Sequence, residues 1–437
     1  MVRHRTLAPL NVYMNGRLVG VLDRKGSGAI DFQYDRSWLN GPDTMAISLS
    51  LPLREDRYIG APVIAVLDNL LPDNDVIRRR LSEVVHAGGI DVFSLLSAVG
   101  RDCVGALQFL PDGVEPGIPG VVEGKMLDDS QIASILANLT GDPLGLSRDE
   151  DFRISLAGAQ EKTALLFWNG HWHKPLGSTA TTHILKPPIG RLPNGIDLSD
   201  SVENEWICLK LAKELGLPSA EVEMATFEGK KVLVVQRFDR IWTKAHRLLR
   251  RPQEDSCQAL GVSPAFKYEV DGGPGIVHLL QLLKASNNPE GDQRIFFKSL
   301  VFFWLIGATD GHAKNFSIHL TVGGGFRLAP LYDVLSAQPN VNGGQVQKNK
   351  LKLAMSVGKN RHTVISTIFP RHFIQTAECA GIDGSLVEDG FRSLLSKASE
   401  AVRNVSAGLP TDFPGFIADS ILGGFEERLQ ILRSGFS

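Results

Sequence analysis

Cysteine is scarce in this chain. Cys103, Cys208, Cys257 and Cys379 are the only four in 437 residues, and no two of them form a C-x-x-C pair. Their wide separation excludes a disulfide framework or a zinc ribbon and leaves four reduced thiols. A long apolar run is missing as well. The longest, roughly Ser299 to Ala308, is about half of what a membrane-spanning helix needs. Met1 to Leu10 carries no apolar core and no small-residue cleavage site, so nothing there reads as an export signal. Neither sign of charge is in excess: 46 basic and 48 acidic residues give a net charge of -2. That balance argues against bulk attraction to nucleic acid or membrane. No internal repeat and no low-complexity segment is present. A soluble cytoplasmic protein is expected, long enough for two or three domains.

The first hundred or so residues read as a mixed α/β module. Residues 11–14 and 17–22 are short apolar runs around Asn15-Gly16, the strongest short hairpin signal. Residues 29–34 alternate as a further strand, and helical patterns follow near 64–71 and 74–85. The Gly/Pro-rich stretch 111–120 breaks the periodicity and reads as a loop or domain link. A second module has strand patterns at 164–168, 182–186 and 231–237. Between the last two, a helix over 201–215 puts Val202, Trp206, Leu209 and Ala212 on one face. Asp200 and Glu203 make a capping-box-like start, and Gly216 and Pro218 a stop. From Gln258 onward the chain is largely helical, interrupted by one hairpin.

That hairpin follows the most informative stretch, residues 309–315 (T-D-G-H-A-K-N). An apolar helix over 296–306 precedes it, and Gly307 can end that helix. Asp310 and Asn315 are five apart, the Asp-to-Asn spacing of a kinase catalytic loop. Asp can take or orient the attacking hydroxyl's proton, and a neutral Asn oxygen can coordinate Mg²⁺. Alone the spacing is weak, because Asp and Asn are common in turns. Residues 316–322 and 326–332 are strand-like and joined by three glycines. With Gly324 at the centre, Asn315 pairs with Asp333, close enough to share one metal ion; a bulge would slip this by one. His312 reads as a residue that orients the loop rather than as a general base.

An ATP site also needs a cation and a loop for the phosphates. Lys186 ends an apolar strand, as in the V-A-I-K signature. Upstream, Ser155 to Thr163 is a small-residue loop suited to backbone contact with phosphate, though it is neither G-x-G-x-x-G nor Walker A. Glu203 and Glu205 are both placed to pair with Lys186. Ser155 follows Arg153 at the end of an acidic, flexible-looking stretch. A phosphate there would repel those of ATP and switch the protein off. Residues 334–377 hold no Asp or Glu but carry Lys348, Lys350, Lys352, Lys359, Arg361 and Arg371. This run is either a solvated face or an auxiliary lane for a phosphate backbone.

Taken together, residues 68–73 (D-N-L-L-P-D), 100–106 (G-R-D-C-V-G-A), 151–163, 307–315 and 331–333 resemble the HipA family, kinase toxins of bacterial toxin–antitoxin pairs. The resemblance runs from the first hairpin through residues 409–414 and so covers nearly the whole chain. It implies an α+β, protein-kinase-like, two-lobed fold, with a small α/β domain over 1–145 and a larger, mainly helical one over 146–437. It implies ATP and Mg²⁺ as cofactors, Asp310 as catalytic base, and Asn315 and Asp333 as metal ligands. Nucleotide contacts are implied from Ala157, Gly158, Ala159, Gln160, Glu161 and Lys162 in the phosphate loop, and from Lys186. Further contacts would come from Gln236, Arg237 and Phe238 at the adenine hinge, where Gln236 replaces an expected Glu, and from His312, Ala313, Lys314, Asn315, Tyr332 and Asp333. Ser155 matches the family's inactivating autophosphorylation site. The implied partners are a HipB-like helix-turn-helix antitoxin dimer and, through it, operator DNA. The implied protein substrate is an aminoacyl-tRNA synthetase such as glutamyl-tRNA synthetase, whose phosphorylation produces growth arrest and persistence. Two other readings stay open: a catalytically minor co-repressor, and a kinase of a small molecule or lipid.

Overall fold

The computed structural model describes residues 8–146 and 152–435. Its N-terminal sheet contains β1 (Leu10–Met14), β2 (Arg17–Arg24), β3 (Ile30–Tyr34), β4 (Tyr58–Ile59) and β5 (Leu107–Pro111). The order is β4-β3-β2-β1-β5, antiparallel throughout. Asn15 and Gly16 both take positive φ, 44° and 78°, and Met14 pairs with Arg17. This is the two-residue turn whose twist suits a hairpin. Helices Ala61–Leu67, Asp75–Val84 and Val92–Val99 bury Val63, Val66, Leu81, Phe93 and Leu96 in one core with the sheet.

The second sheet begins with β6 (Gly124–Met126), β7 (Thr163–Trp168), β8 (His171–Pro175) and β9 (His183–Lys186). A small ribbon, β10 (Gly190–Arg191) with β11 (Asp197–Leu198), intervenes before β12 (Val222–Phe227) and β13 (Lys230–Gln236). The sheet order is β12-β13-β9-β7-β8-β6. Sheet membership therefore changes at the 111–120 loop, ahead of the 145/146 boundary drawn from sequence. A second ribbon pairs β14 (Arg240–Trp242) with β15 (Leu248–Arg250). A three-stranded sheet joins β16 (Gln253–Asp255), β17 (Ser317–Leu320) and β18 (Phe326–Leu328), and β19 (Lys352–Val357) pairs with β20 (His362–Val364).

Helix Ser201–Glu214 follows the expected span, but the capping box does not form. Asp200 makes no side-chain cap, and the buried Glu203 carboxylate instead accepts from Lys231. Helix Pro289–Ile306 starts earlier than its apolar stretch: Asn288 caps it, proline opens it, and Glu290 and Asp292 face the positive end of its dipole. It is apolar nearly all round, as a central helix must be. Helices Gly384–Ala407 and Gly415–Ser434 pack against it. Among the described residues no helix is long and apolar enough to cross a membrane. All four cysteines are free.

The two units are joined by a buried charge cluster. Asp102, from the N-terminal unit, accepts from Arg240 at 2.8 Å, Arg250 at 2.9 Å and the Thr181 hydroxyl at 2.8 Å. Asp239 accepts from Arg237 at 2.8 Å and from the Gly105 amide at 2.7 Å. Burial opposes both carboxylates, but the guanidiniums outweigh it and hold each below its ordinary pKa, Asp239 at about 2. Asp102→Asn leaves three buried guanidiniums facing one carboxylate. Removing one partner of such a cluster costs about 3–5 kcal/mol, so the urea midpoint falls accordingly. Because both pKa values are depressed on folding, the stabilisation is complete above an unfolded pKa of about 4. It is lost as pH falls toward about 2. Urea midpoints measured between these limits should fall for the wild type and change less for Asp102→Asn.

Candidate active site

Helix Pro289–Ile306 ends at Gly307, whose φ of 71° is the left-handed cap that lets the chain turn out of the core. The loop that follows carries Asp310, His312 and Asn315, and β17 and β18 return the chain to Asp333. The hairpin register differs from the expected one. Ile318 pairs with Leu328 and Leu320 with Phe326, which centres the turn on Gly323 rather than Gly324. Pairing also stops well short of Asn315. The two residues meet by another route: Asn315 Nδ2 donates to the Asp333 carbonyl at 3.4 Å. Asp333 has φ 59°, a left-handed conformation that Asp tolerates better than most residues.

Lys186 reaches this point from the end of β9. Its Nζ donates to Glu205 Oε1 at 2.8 Å and to Asp333 Oδ1 at 2.9 Å. Glu205, not Glu203, is thus the helical partner. Burial alone would depress the ammonium, but Asp333 and Glu205 outweigh it and hold it above the usual lysine range. Asp333 is likewise kept well below the carboxylate range: Lys186, and then Lys162, overcome its desolvation. Its Oδ2 takes no hydrogen bond from the described residues, and its side chain is 37% exposed. Asp333 is therefore an ionised carboxylate with one free oxygen.

The 157–162 loop lies beside this pair. Lys162 folds back so that its Nζ donates to the Ala157 carbonyl at 2.8 Å, and Gly158 has φ 104°. A Cβ on Gly158 would meet that ammonium at 2.6 Å. Gln160 donates to the Pro187 carbonyl at 2.9 Å, and Glu161 pairs with Arg80 at 3.0 Å. Residues 147–151, including most of the acidic stretch before Ser155, lie outside the described residues. Ser155 itself is buried, not on a flexible surface: its hydroxyl donates to the Leu70 carbonyl at 2.7 Å. The apolar neighbours Phe152, Ile154 and Leu156 draw it into the N-terminal core.

At the hinge, Arg237 is committed to the charge cluster through Asp239 and Thr181. The amides of Gln236 and Arg237 donate to Glu221 and Thr182. The Phe238 amide has no partner among the described residues, and its ring lies 5.7 Å from that of Tyr332. Tyr332 donates to the Lys314 carbonyl at 2.8 Å. The Lys314 ammonium is consumed within the protein: Asn69 O at 2.7 Å, Asp73 at 3.4 Å and Asp255 at 3.5 Å surround it. The 68–73 segment thus locks the 309–315 loop, and its Asp73 amide also binds the Gly158 carbonyl at 3.2 Å. The Ala313 amide donates to the Lys267 carbonyl at 3.3 Å.

The Asp310 side chain is 56% exposed. Partial burial and the nearby Asp333 raise its pKa, offset by a hydrogen bond from Tyr268 at 2.5 Å. Sequence reasoning missed Tyr268, since nothing in the 264–273 pattern points at Asp310. His312 is buried, its Nε2 4.0 Å from Asp310, and burial holds it at about 4, hence neutral. In the basic run, Lys348, Lys359 and Arg361 pair with Glu427, Glu378 and Glu269. Lys350, Lys352 and Arg371 have no ion pair among the described residues.

The donor set fits a magnesium ion shared with phosphates. Asn315 spends its Nδ2 on the protein and leaves Oδ1 without a donor, beside the ionised Asp333. Among the described residues no group of three or more His, Cys, Asp or Glu could hold a metal alone. The charge balance can be checked at Lys162, which burial and the Lys186 charge lower to about 8. Removing a like charge favours the ammonium, so Lys186→Met moves the Lys162 titration upward, as read by NMR of the lysine Cε carbons.

The chain is matched by the HipA N-terminal domain model over residues 10–110 and by the HipA-like C-terminal domain model over residues 154–405. It is 36% identical over 406 residues to the Y4mE protein of Sinorhizobium fredii, covering 92% of each chain. It is 30% identical over 343 residues to the serine/threonine-protein kinase toxin HipA of Shewanella oneidensis, covering 75% of each. The structure of HipA with HipB and operator DNA from Shewanella oneidensis superposes over 98% of this chain and 99% of that one. The TM-score is 0.80 at 24% identity, a likeness of fold. The fold is accordingly the α+β, kinase-like one that the sequence led us to expect, and the chain belongs to the HipA family.

Proposed function

We propose that this protein is an ATP- and Mg²⁺-dependent serine/threonine protein kinase, the toxin of a toxin–antitoxin pair. The observation that carries the reading is the Lys186–Glu205–Asp333 network, with Asn315 hydrogen-bonded to Asp333 and Asp310 near enough to feel the Asp333 charge. A lysine paired to a helical glutamate beside a metal-binding aspartate is the phosphate-handling set of kinases. Lys186, with Lys162 and the 157–162 backbone, binds and orients the triphosphate. The free Phe238 amide, next to the Tyr332 ring, receives adenine. Asn315 Oδ1 and Asp333 Oδ2 hold Mg²⁺, which when bound neutralises charge on the phosphate oxygens. Asp310 accepts the proton of the incoming hydroxyl, a role favoured by its raised pKa and exposed position.

The partners follow from relatives. The related HipA of Shewanella oneidensis forms a complex with HipB and operator DNA, so a HipB-like helix-turn-helix dimer is the proposed antitoxin here. Lys350, Lys352 and Arg371 are left for auxiliary contact with the DNA backbone. The proposed substrate is an aminoacyl-tRNA synthetase, whose loss would arrest translation. Ser155 is the proposed autophosphorylation site. Its hydroxyl must first leave the Leu70 carbonyl, so modification requires residues 152–158 to leave their seat, and with them the phosphate loop.

Incubation with ATP and Mg²⁺, followed by mass spectrometry of Ser155, tests the reaction. Wild type should acquire one phosphate, while Asp310→Gln should show none and lose toxicity. Its circular dichroism should be unchanged, because the Asp310 side chain is exposed rather than in a core. An unlabelled wild type would remove the kinase reading in favour of a binding role.

A further inference from the structure

We infer that Tyr268 occupies the acceptor hydroxyl's place at Asp310 and is displaced when a substrate enters, an inference that rests on Asp310 being the catalytic carboxylate. A kinase acceptor must present an O–H to that carboxylate. Tyr268 already does so, with Oη donating to Oδ1 at 2.5 Å. Among the described residues no other side chain donates a hydrogen bond to Asp310, and His312 stays 4.0 Å away. More than half of the Asp310 side chain is open to solvent. Burial therefore does not force the contact; Tyr268 covers one side of an accessible group.

The surrounding chain is built to hold this tyrosine while leaving its side chain free to swing. Tyr268 sits between the short turns Pro264–Phe266 and Glu269–Asp271. Its carbonyl accepts from the Gly273 amide at 3.0 Å, and the preceding Lys267 carbonyl accepts from Ala313 in the catalytic loop at 3.3 Å. Glu269 is fixed on the far side by the Ser356 amide at 2.5 Å and by Arg361 at 3.0 Å. Each of these bonds uses backbone or a neighbouring side chain, so a χ1 rotation of Tyr268 breaks none of them. The ring stands edge-on to His312 with centroids 4.7 Å apart, which gives the covering position a defined seat. Displacement requires giving up the Asp310 hydrogen bond, this ring contact and the Lys267 ammonium, 5.6 Å from the ring centroid. An acceptor that supplies its own O–H replaces the first.

The step balances without further reagents. The acceptor oxygen forms a bond to the γ-phosphorus, the bond to the ADP oxygen breaks, and the acceptor proton passes to Asp310 and then to solvent. With no protein acceptor present, water serves, giving ADP, phosphate and a proton.

ATP hydrolysis by the full-length protein therefore tests the inference with water as probe. Tyr268→Phe keeps the ring and removes the hydroxyl. Hydrolysis should rise roughly tenfold, the worth of one hydrogen bond to a charged group, with KM for ATP unchanged. The acid limb of the rate profile should move to higher pH, because Tyr268's hydrogen bond favours the ionised carboxylate. Asp310→Asn should be inactive in both backgrounds. If Tyr268→Phe lowers the rate or leaves it unchanged while Asp310→Asn is inactive, the displacement inference is overturned and Tyr268 is a positioning or structural residue. If Asp310→Asn hydrolyses ATP as fast as wild type, the catalytic reading itself fails.

Discussion

An ammonium taken out of water costs several kcal/mol unless anions surround it, and Lys186 is almost fully buried. Its two partners come from different parts of the chain, Glu205 from a helix and Asp333 from the turn after a hairpin. The network is satisfied only when sheet, helix and hairpin are all docked. Folding of the larger unit and assembly of the site are thus one event. Lys162 adds a second cation near Asp333, its pKa lowered first by burial and then by the Lys186 charge.

The N-terminal unit belongs to the site as much as the helical body does. Asn69 and Asp73 take the Lys314 ammonium and with it the 309–315 loop, while the Asp73 amide pins Gly158 in the 157–162 loop. Asp102 closes the same seam through three guanidiniums. Ile184 on β9 packs against both large apolar clusters. Ser155 lies on this seam, with its hydroxyl on Leu70 two residues before Pro72. Loosening the seam would release Ser155 and the phosphate loop together.

Much of this was legible from residue type and spacing. Asn15-Gly16 gave its turn, because Asn and Gly both tolerate the positive φ that a two-residue hairpin turn takes here. The Asp310 and Asn315 spacing and the strand-end Lys186 marked the cleft for the same reason: few chemistries need those types in that order. What escaped was set by tertiary contact. Glu203 and Glu205 are two apart on one helix, and only the packed positions of β13 and β9 assign Lys231 to the first and Lys186 to the second. The glycine-rich turn hid its centre, since Gly323 and Gly324 both tolerate positive φ. The side chains of Arg237 and Lys314 are held by buried carboxylates and carbonyls, pairings that residue type and spacing did not show. Tyr268 carried no signal at all.

Asp333 and Lys186 are proposed as a metal-linked phosphate site. The most direct test is titration of a non-hydrolysable ATP analogue into wild type and Asp333→Asn across a series of Mg²⁺ concentrations. Wild-type affinity should rise steeply with Mg²⁺, and the variant should lose that dependence while still binding the nucleotide weakly. An identical Mg²⁺ dependence in the two proteins would contradict the account.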